Sequence, residues 1–332
     1  MADSRPADIA LVGGETLLGR EIVEVFGQSS LGDQLRLVAE AEEETGKLTE
    51  IGGVPAFLSK LDPDAVEDAA VVILAGSKKS SKEAMGAKPS GLIIDLSGYM
   101  EDETDAQLRS PMVESEDYRA DTTGPQVVAH PAATAIALIL RRLNAALPIA
   151  RAIVHIFEPA SERGKAGIDE LQRQTVNLFA FQPMPKQVFN AQATFNMLAQ
   201  WGEDAEETLL AVEERIERHL ASLLDRGDGI PMPSLRLIQA PVFHGYTFSL
   251  WVDFEESVVA SDVEDALAGN LIDLRAADME APSNIGAAGQ SGVAVGAIAS
   301  DRNSANAVWI WAAADNLRIS AESAAWIARE SL

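Results

Sequence analysis

Residues 9–26 read IALVGGETLLGREIVEVF, and the order of residue types in that stretch decides the class of fold. A short apolar run, Ile9 to Val12, ends at Gly13 and Gly14, and beyond them Leu18, Ile22, Val23 and Phe26 recur at helical spacing. An apolar strand, a Gly-rich turn and an amphipathic helix in that order make the first half of a βαβ unit. Working outward, further apolar runs follow at 35–39, 70–75 and 92–96, separated by polar or helical stretches such as Lys78 to Met85. Strands buried on both faces read as short continuous apolar runs of this kind. The spacing predicts a parallel sheet covered by helices.

Past residue 128 the texture changes. A buried helix is expected over Thr134 to Ala146, a strand over Ala152 to Phe157, and long helical stretches over Lys165 to Leu178 and Ala205 to Leu224. Ser234 to Ala240 and Thr247 to Phe254 alternate in polarity, which predicts an antiparallel sheet with one buried face. A strand at Ala307 to Trp311 and a helix from Ser320 to Glu330 close the chain. There is no internal repeat, and no biased segment longer than the acidic run Glu40 to Glu44. The class is α/β, with a second α+β half.

Bulk properties narrow the functions. The chain has 332 residues, enough for two domains at roughly 150 residues each. Its 47% apolar and 23% charged content is that of an ordinary globular protein. With 51 acidic against 26 basic residues the net charge is -25, which repels phosphate backbones and anionic lipid alike. Nucleic acid and membrane partners are therefore not expected. The most apolar stretch, Ala132 to Leu140, runs into Arg141 and Arg142, and MADSRPADIALVGG has no basic segment ahead of a leader-like run. A cytoplasmic protein is the expectation. There is no cysteine, hence no disulfide, thiolate metal site or thiol nucleophile. No metal site is expected.

Four stretches carry a resemblance: Gly164 to Leu171 (GKAGIDEL), Phe189 to Asn196 (FNAQATFN), Ala240-Pro241-Val242-Phe243 ahead of Gly245, and Asp315-Asn316-Leu317-Arg318. In that order and at those distances the chain resembles the short bacterial aspartate-semialdehyde dehydrogenases along nearly its whole length. The resemblance implies a Rossmann-like, dinucleotide-binding-type domain over residues 1–128 joined by 312–332. It also implies an α+β domain over 129–311 that forms a homodimer through its sheet. Lacking cysteine, the chain resembles the Usg-type members of that family.

The family reaction needs a thiolate that attacks carbon and forms a thioester, from a motif Asn-Pro-x-Cys. The matching residues are His130-Pro131-Ala132-Ala133, so the nucleophile position is Ala133. Thr134 beside it lacks an adjacent base and reads as a polar group at a helix start. The family's carboxylate-binding Arg and, seven residues on, its general-base His fall at Gln239 and Tyr246. A Tyr of ordinary pKa is no base near neutral pH, and Gln brings no charge. His244 is two residues off along the strand, a displacement of roughly 6 to 7 Å, and reads as an ordinary hydrogen-bonded His. A substrate-positioning Gln falls at Glu158, where a carboxylate repels an acidic substrate. A phosphate-binding Arg matches Glu101, and a Lys on the long helix matches Leu209, while its acidic neighbour is kept as Glu206.

The nucleotide turn departs as well. Family members read Gly-x-x-Gly-x-x-Gly, but here the middle position is Thr16 between Gly13 and Gly19, and Glu15 adds negative charge. Where the family accepts the 2'-phosphate of NADP, the chain has Glu40-Ala41-Glu42-Glu43-Glu44, which disfavours NADP. NAD is less excluded, because a carboxylate such as Glu40 holds a ribose hydroxyl in other dinucleotide folds. Gly13, Gly14, Thr16, Gly19, Glu40 and Asn316 are the candidate cofactor positions; Lys78, Lys79 and Ser80 either neutralise a diphosphate or form a solvated helix start. The reading is a non-catalytic homologue that keeps fold and homodimer. The alternative is an NAD-dependent semialdehyde oxidoreductase with thiol-free chemistry, or a nucleotide-binding sensor.

Overall fold

The computed structural model describes residues 9–114, 123–225 and 229–332; residues 1–8, part of the segment behind the cytoplasmic expectation, lie outside them. The chain separates into two compact units, residues 1–129 with 320–332 and residues 130–319.

In the first unit β1 (Ile9–Val12) leads through a turn into α1 (Leu17–Gly27) and on to β2 (Leu35–Val38). A hairpin of β3 (Leu48–Ile51) and β4 (Val54–Phe57) follows, then α2 (Pro63–Val66), β5 (Val71–Leu74), α3 (Lys78–Gly86), β6 (Leu92–Asp95), β7 (Gln107–Arg109) and β8 (Gln126–Val128). Among the described residues these build a six-stranded sheet in the order β2-β1-β5-β6-β8-β7, every pair parallel. Period-two alternation gives it two apolar faces. Ile9, Leu11, Leu37 and Ile73 pack with Ile22 and Phe26 of α1 and with Ala321, Ala324, Ile327 and Ala328 of the last helix. Ala10, Val12, Val38, Val72 and Leu74 pack on the other face with Ala65, Val66 and Ala84. Because both faces are covered, the strands lack polar positions, and this is why the sequence shows unbroken apolar runs.

The edge of this sheet is closed by a buried cation. The Arg109 guanidinium donates to Glu114 (3.0 and 2.9 Å), to Gln126 Oε1 (3.0 Å) and to Glu330 Oε2 of the last helix (2.8 Å).

The second unit opens with α4 (Pro131–Ala146), β9 (Ile149–Glu158), α5 (Gly164–Phe179) and α6 (Leu209–Leu224). It continues with β10 (Ser234–Gln239), β11 (Tyr246–Phe254), α7 (Ala260–Leu267), β12 (Ile272–Leu274), α8 (Asn284–Ala287), β13 (Val293–Ser300) and β14 (Ala307–Ala314). The last helix, α9 (Asn316–Ser331), starts in this unit and runs into the first. The sheet order is β10-β9-β11-β14-β13-β12. It is mixed, which corrects the antiparallel expectation. β10 pairs parallel with β9 and is separated by β9 from β11. The reason is the connection: β9 returns to β10 through α5 and α6, and a crossover of that length delivers a parallel neighbour.

Two boundaries differ from expectation for local reasons. α4 begins three residues before Thr134, because Pro131 takes the first helical position and His130 is the cap, its Nδ1 accepting from the N–H of Ala132 at 3.2 Å. α6 begins at Leu209, not Ala205, because the Thr208 hydroxyl accepts from the N–H of Ala211. α6 then buries Val212, Ile216, Leu220 and Leu223 on one stripe, each worth about 1.5–3 kcal/mol of burial.

Candidate functional site

Three positions singled out by sequence stand side by side. Gln239 is the ladder partner of Glu158 between β10 and β9. Tyr246 opens β11 one residue beyond the pair Thr247 and Phe157, which sets it level with Glu158 on the other side. All three point into the unit and are buried. Adjacent strands lie about 4.8 Å apart, so the three side chains form one polar row at the end of β9. The Gln239 amide nitrogen donates to the carbonyls of Glu158 (2.9 Å) and Ala240 (3.2 Å), which turns Oε1 away from them.

The row is short of partners. Both Glu158 oxygens, Gln239 Oε1 and the Tyr246 hydroxyl are sealed from solvent without a hydrogen bond of ordinary geometry, as are His130 Nε2, Arg163 Nε and Trp201 Nε1. The charges are coupled nonetheless. Arg163 Nε stands 3.5 Å from Glu158 Oε1, its Nη1 donates to Glu207 Oε2 at 2.5 Å, and its guanidinium lies 5.2 Å from the centre of the Trp201 ring. Burial raises the Glu158 pKa to about 8, against the pull of Arg163 and with the repulsion of Glu162 and Glu207. Burial also pushes Tyr246 well above the ordinary phenol range, which moves it further from service as a base than the ordinary pKa assumed from sequence.

Ala133 lies in the first turn of α4 with no exposed surface. The residue before that helix, His130, takes the hydrogen-bonding role there. Its N–H donates to His219 Nδ1 (2.9 Å), its ring sits edge-on to Tyr246 at 6.1 Å, and its Nε2 is 3.4 Å from Glu162 Oε1. Burial, with Arg215, His219 and Arg163 nearby, holds its pKa well below 6.5. Since Nδ1 accepts the cap bond, the proton is on Nε2. Thr134 is buried in the same turn.

Asn316, assigned by sequence to the nucleotide, lies in the second unit, where its amide nitrogen donates to Glu162 Oε2 (2.9 Å) and Ser161 Oγ donates to its Oδ1 (3.2 Å). His244 bonds Ser161 Oγ through Nδ1 at 3.1 Å and meets Asp315 Oδ2 through Nε2 at 2.9 Å. Sequence reasoning missed Glu162, Arg163, Trp201 and His219. The available signal was Glu158, Glu162 and Arg163 within six residues, beside the anchor that begins at Gly164.

The turn in the first unit is finished by its own side chains. Thr16 Oγ1 accepts from the N–H of Gly19 (2.9 Å) and donates to Gly13 O (2.9 Å). Gly13 has φ +84°, and a Cβ there would come within 2.6 Å of the Gly76 backbone. At Gly19 a Cβ would lie 2.0 Å from Gly13 O, so the close helix-to-strand approach alone requires both glycines. Glu15 Oε1 accepts from the N–H groups of Glu40 (2.8 Å) and Ala41 (3.0 Å). Glu40 Oε2 in turn accepts from Ser77 N (2.6 Å) and Ser80 Oγ (3.0 Å) at the start of α3. Gly14 packs against Leu37 and Leu58, and Lys78 and Lys79 are exposed.

No group of three metal-ligating side chains occurs among the described residues, and no helix among them is long and apolar enough to cross a membrane.

The chain has relatives along its whole length. Residues 140–319 match the family model described as semialdehyde dehydrogenase, dimerisation domain. An aspartate-semialdehyde dehydrogenase of Rickettsia bellii is 25% identical over 318 residues, 94% of this chain and 93% of that protein. A USG-1 protein homolog of Pseudomonas aeruginosa is 28% identical over 325 residues, 95% of this chain and 94% of that one. A solved probable aspartate-semialdehyde dehydrogenase from Pseudomonas aeruginosa superposes with a TM-score of 0.83 at 25% identity, covering 98% of both chains.

Proposed function

Since the chain belongs to the semialdehyde dehydrogenase family, we propose that it is a non-catalytic member that keeps the fold and self-association and has given up the family chemistry. One observation carries this reading: the position that matches the attacking cysteine is Ala133, a methyl group with no exposed surface in the first turn of α4. Covalent acyl transfer requires an activated nucleophile; Ala133 has no reactive group, and a Thr hydroxyl such as that of Thr134 is a poor one at its free pKa. Gln239 and Tyr246, at the positions of the family's Arg and His, supply neither the positive charge nor a base active near neutral pH.

The first unit, read as the dinucleotide-binding-type domain, does not fit a dinucleotide. A pyrophosphate is held by N–H groups at a strand-to-helix turn. In this chain the N–H of Gly19 is taken by Thr16, and the carboxylates of Glu15 and Glu40 take those of residues 40, 41 and 77. Glu40 is committed to α3, so the ribose role that kept NAD open is filled by a protein contact. NADP is disfavoured further by the acidic run at 40–44.

Self-association is read as a homodimer through the mixed sheet. The face opposite α4 and α6 carries Ile153, His155, Trp251, Trp309 and Trp311 partly or well exposed, an unusual density of aromatics for a free surface. Light scattering at micromolar concentration should give twice the chain mass, and Trp309→Glu should return a monomer. The central assay is turnover of aspartate semialdehyde with phosphate and NAD or NADP. No rate above background is expected, nor from the triple variant Ala133→Cys, Gln239→Arg, Tyr246→His. Turnover by the native protein would end the non-catalytic reading.

A further inference from the structure

Charge and apolar content are unevenly spread along the second unit. Charged residues make up 23% of the sequence, yet residues 174–202 hold a single one, Lys186. The same region carries Val176, Phe179, Phe181, Phe195 and Met197, all exposed. Depletion of charge with enrichment in aromatic residues and Met is the composition of an interface core, not of a free surface.

Local structure shows that this exposure is built in. α5 ends at Phe179, Ala180 is its cap, and Phe181 follows with φ +53°. The turn is closed by the N–H of Gln182, which donates to Asn177 O at 2.9 Å, and Gly is the residue that takes such a position without strain. Here a Phe takes it, and that Phe is 97% exposed. Within its own chain it contributes strain and almost no burial. Phe195 repeats the pattern at φ +52° and 65% exposure, its ring edge-on to Phe179 at 5.8 Å. The backbone beneath the rings is fastened. Glu170 accepts from the N–H groups of residues 187–189, Gln174 Oε1 from those of Ala193 and Thr194, and Asn177 Nδ2 donates to Pro183 O at 2.7 Å.

Beside the rings a groove of about 350 Å³ runs along α5, lined by Asp169, Gln172, Arg173, Val176 and Asn177. A space of roughly 150 Å³ already admits benzene, so the groove has room for a phenyl ring. Val176 gives it an apolar wall, and Arg173 gives it a guanidinium of the kind that stacks on ring faces.

Charge and area select the occupant. Two copies of a chain with net charge -25 repel over most of their surface, and they meet at least cost where charge is sparse. A basic partner protein would instead be drawn to carboxylates, whereas Lys165, Arg173 and Lys186 flank these rings. The patch also lies wholly within residues 140–319, which match the dimerisation-domain model. Three largely exposed Phe rings offer on the order of 400 Å², about half of the 800 Å² per partner of a specific interface, so the patch needs a second contact beside it.

We propose that in the homodimer the aromatic patch of one copy is covered by the other, each Phe181 seated in the α5 groove of its partner. The proposal rests on the self-association reading given above and adds a second contact to the sheet face. Arg173, in the groove, lies about 12 Å along the helix direction from Phe181. Two α5 helices set antiparallel about a two-fold axis between those points place each ring at the other's groove.

Phe181→Gly is the deciding variant, because Gly suits the backbone at that position: the Tm of the subunit should hold or rise. The dimer dissociation constant, read by fluorescence-detected sedimentation of dye-labelled protein over a dilution series, should rise roughly tenfold or more. Arg173→Ala should raise it less, and Phe57→Ser, an equally bare ring in β4 of the first unit, should leave it unchanged. The chain has no cysteine, so Gln182→Cys adds one reporter thiol, whose labelling should be slow in the dimer and fast after dilution to monomer. A native protein that is monomeric at micromolar concentration ends the self-association reading and this contact with it. A native dimer whose constant is unchanged in Phe181→Gly, or whose reporter thiol labels at one rate throughout the dilution, overturns the patch contact alone and leaves the sheet face as the interface.

Discussion

The turn after β1 and the row across β10, β9 and β11 both depart from the family pattern, and they deal with their polar groups in opposite ways. In the turn the groups at issue are backbone N–H donors, which no substitution other than proline removes and which must find acceptors. Thr16, Glu15 and Glu40 supply those acceptors between 2.6 and 3.0 Å. In the row the groups are side chains, which substitution could have made apolar. They are polar instead, and Glu158 is held by the Arg163 guanidinium at 3.5 Å and by the Tyr246 phenol. The turn is thus completed by short hydrogen bonds from its own side chains, while the row is held by longer-range charge in a buried setting.

The largest effect that would break this contrast is expected at Arg163. Arg163→Met leaves Glu158 and Glu207 facing each other without their cation, and urea denaturation should show a loss of about 3 kcal/mol. A neutral result would mean that the row is not electrostatically strained. Next comes the pH dependence. The folded state binds the Glu158 proton more tightly than the unfolded chain does, so stability falls as pH rises from about 4.5 to 8 and loses nothing further above 8. Glu158→Gln should flatten that segment of the pH profile and raise stability at pH 8 by on the order of 2 kcal/mol. On the side of the turn the effects are smaller. Thr16→Ala removes the cap of α1 and should cost about 1 kcal/mol. Glu40→Gln keeps an acceptor for Ser77 and Ser80 but loses the charge at the start of α3, a change of about 0.5 kcal/mol. If Glu40→Gln proved as damaging as Arg163→Met, the turn would be no more self-sufficient than the row.

The four stretches that carried the resemblance are each fastened by hydrogen bonds to backbone or to a neighbouring loop. Glu170 of the first accepts from the N–H groups of residues 187, 188 and 189, and Gln174 Oε1, just beyond it, from those of Ala193 and Thr194 in the second. The carbonyls of Val242 and Phe243 in the third accept from Ala160 and Ser161. Asp315 of the fourth caps α9 through the N–H groups of Leu317 and Arg318, and also meets His244. What these stretches supply is scaffold, and on the reading proposed above the departures from the family pattern fall on the chemistry that the scaffold positions. A site can therefore be lost residue by residue while the fold around it stands.

The sequence alone determined the parallel sheet, because strands buried on both faces must be apolar throughout, as Ile9 to Val12 and Val71 to Leu74 are. It also determined the absence of a thiol, and the identities at Ala133, Glu158, Gln239 and Tyr246. The tertiary structure decided what period and spacing cannot encode. The parallel placement of β10 beside β9 depends on where a long crossover returns. The commitment of Glu40 to α3 depends on two turns 37 residues apart in sequence meeting in space. The raised pKa of Glu158 depends on burial, which is a property of everything packed around that residue and not of the residue by itself.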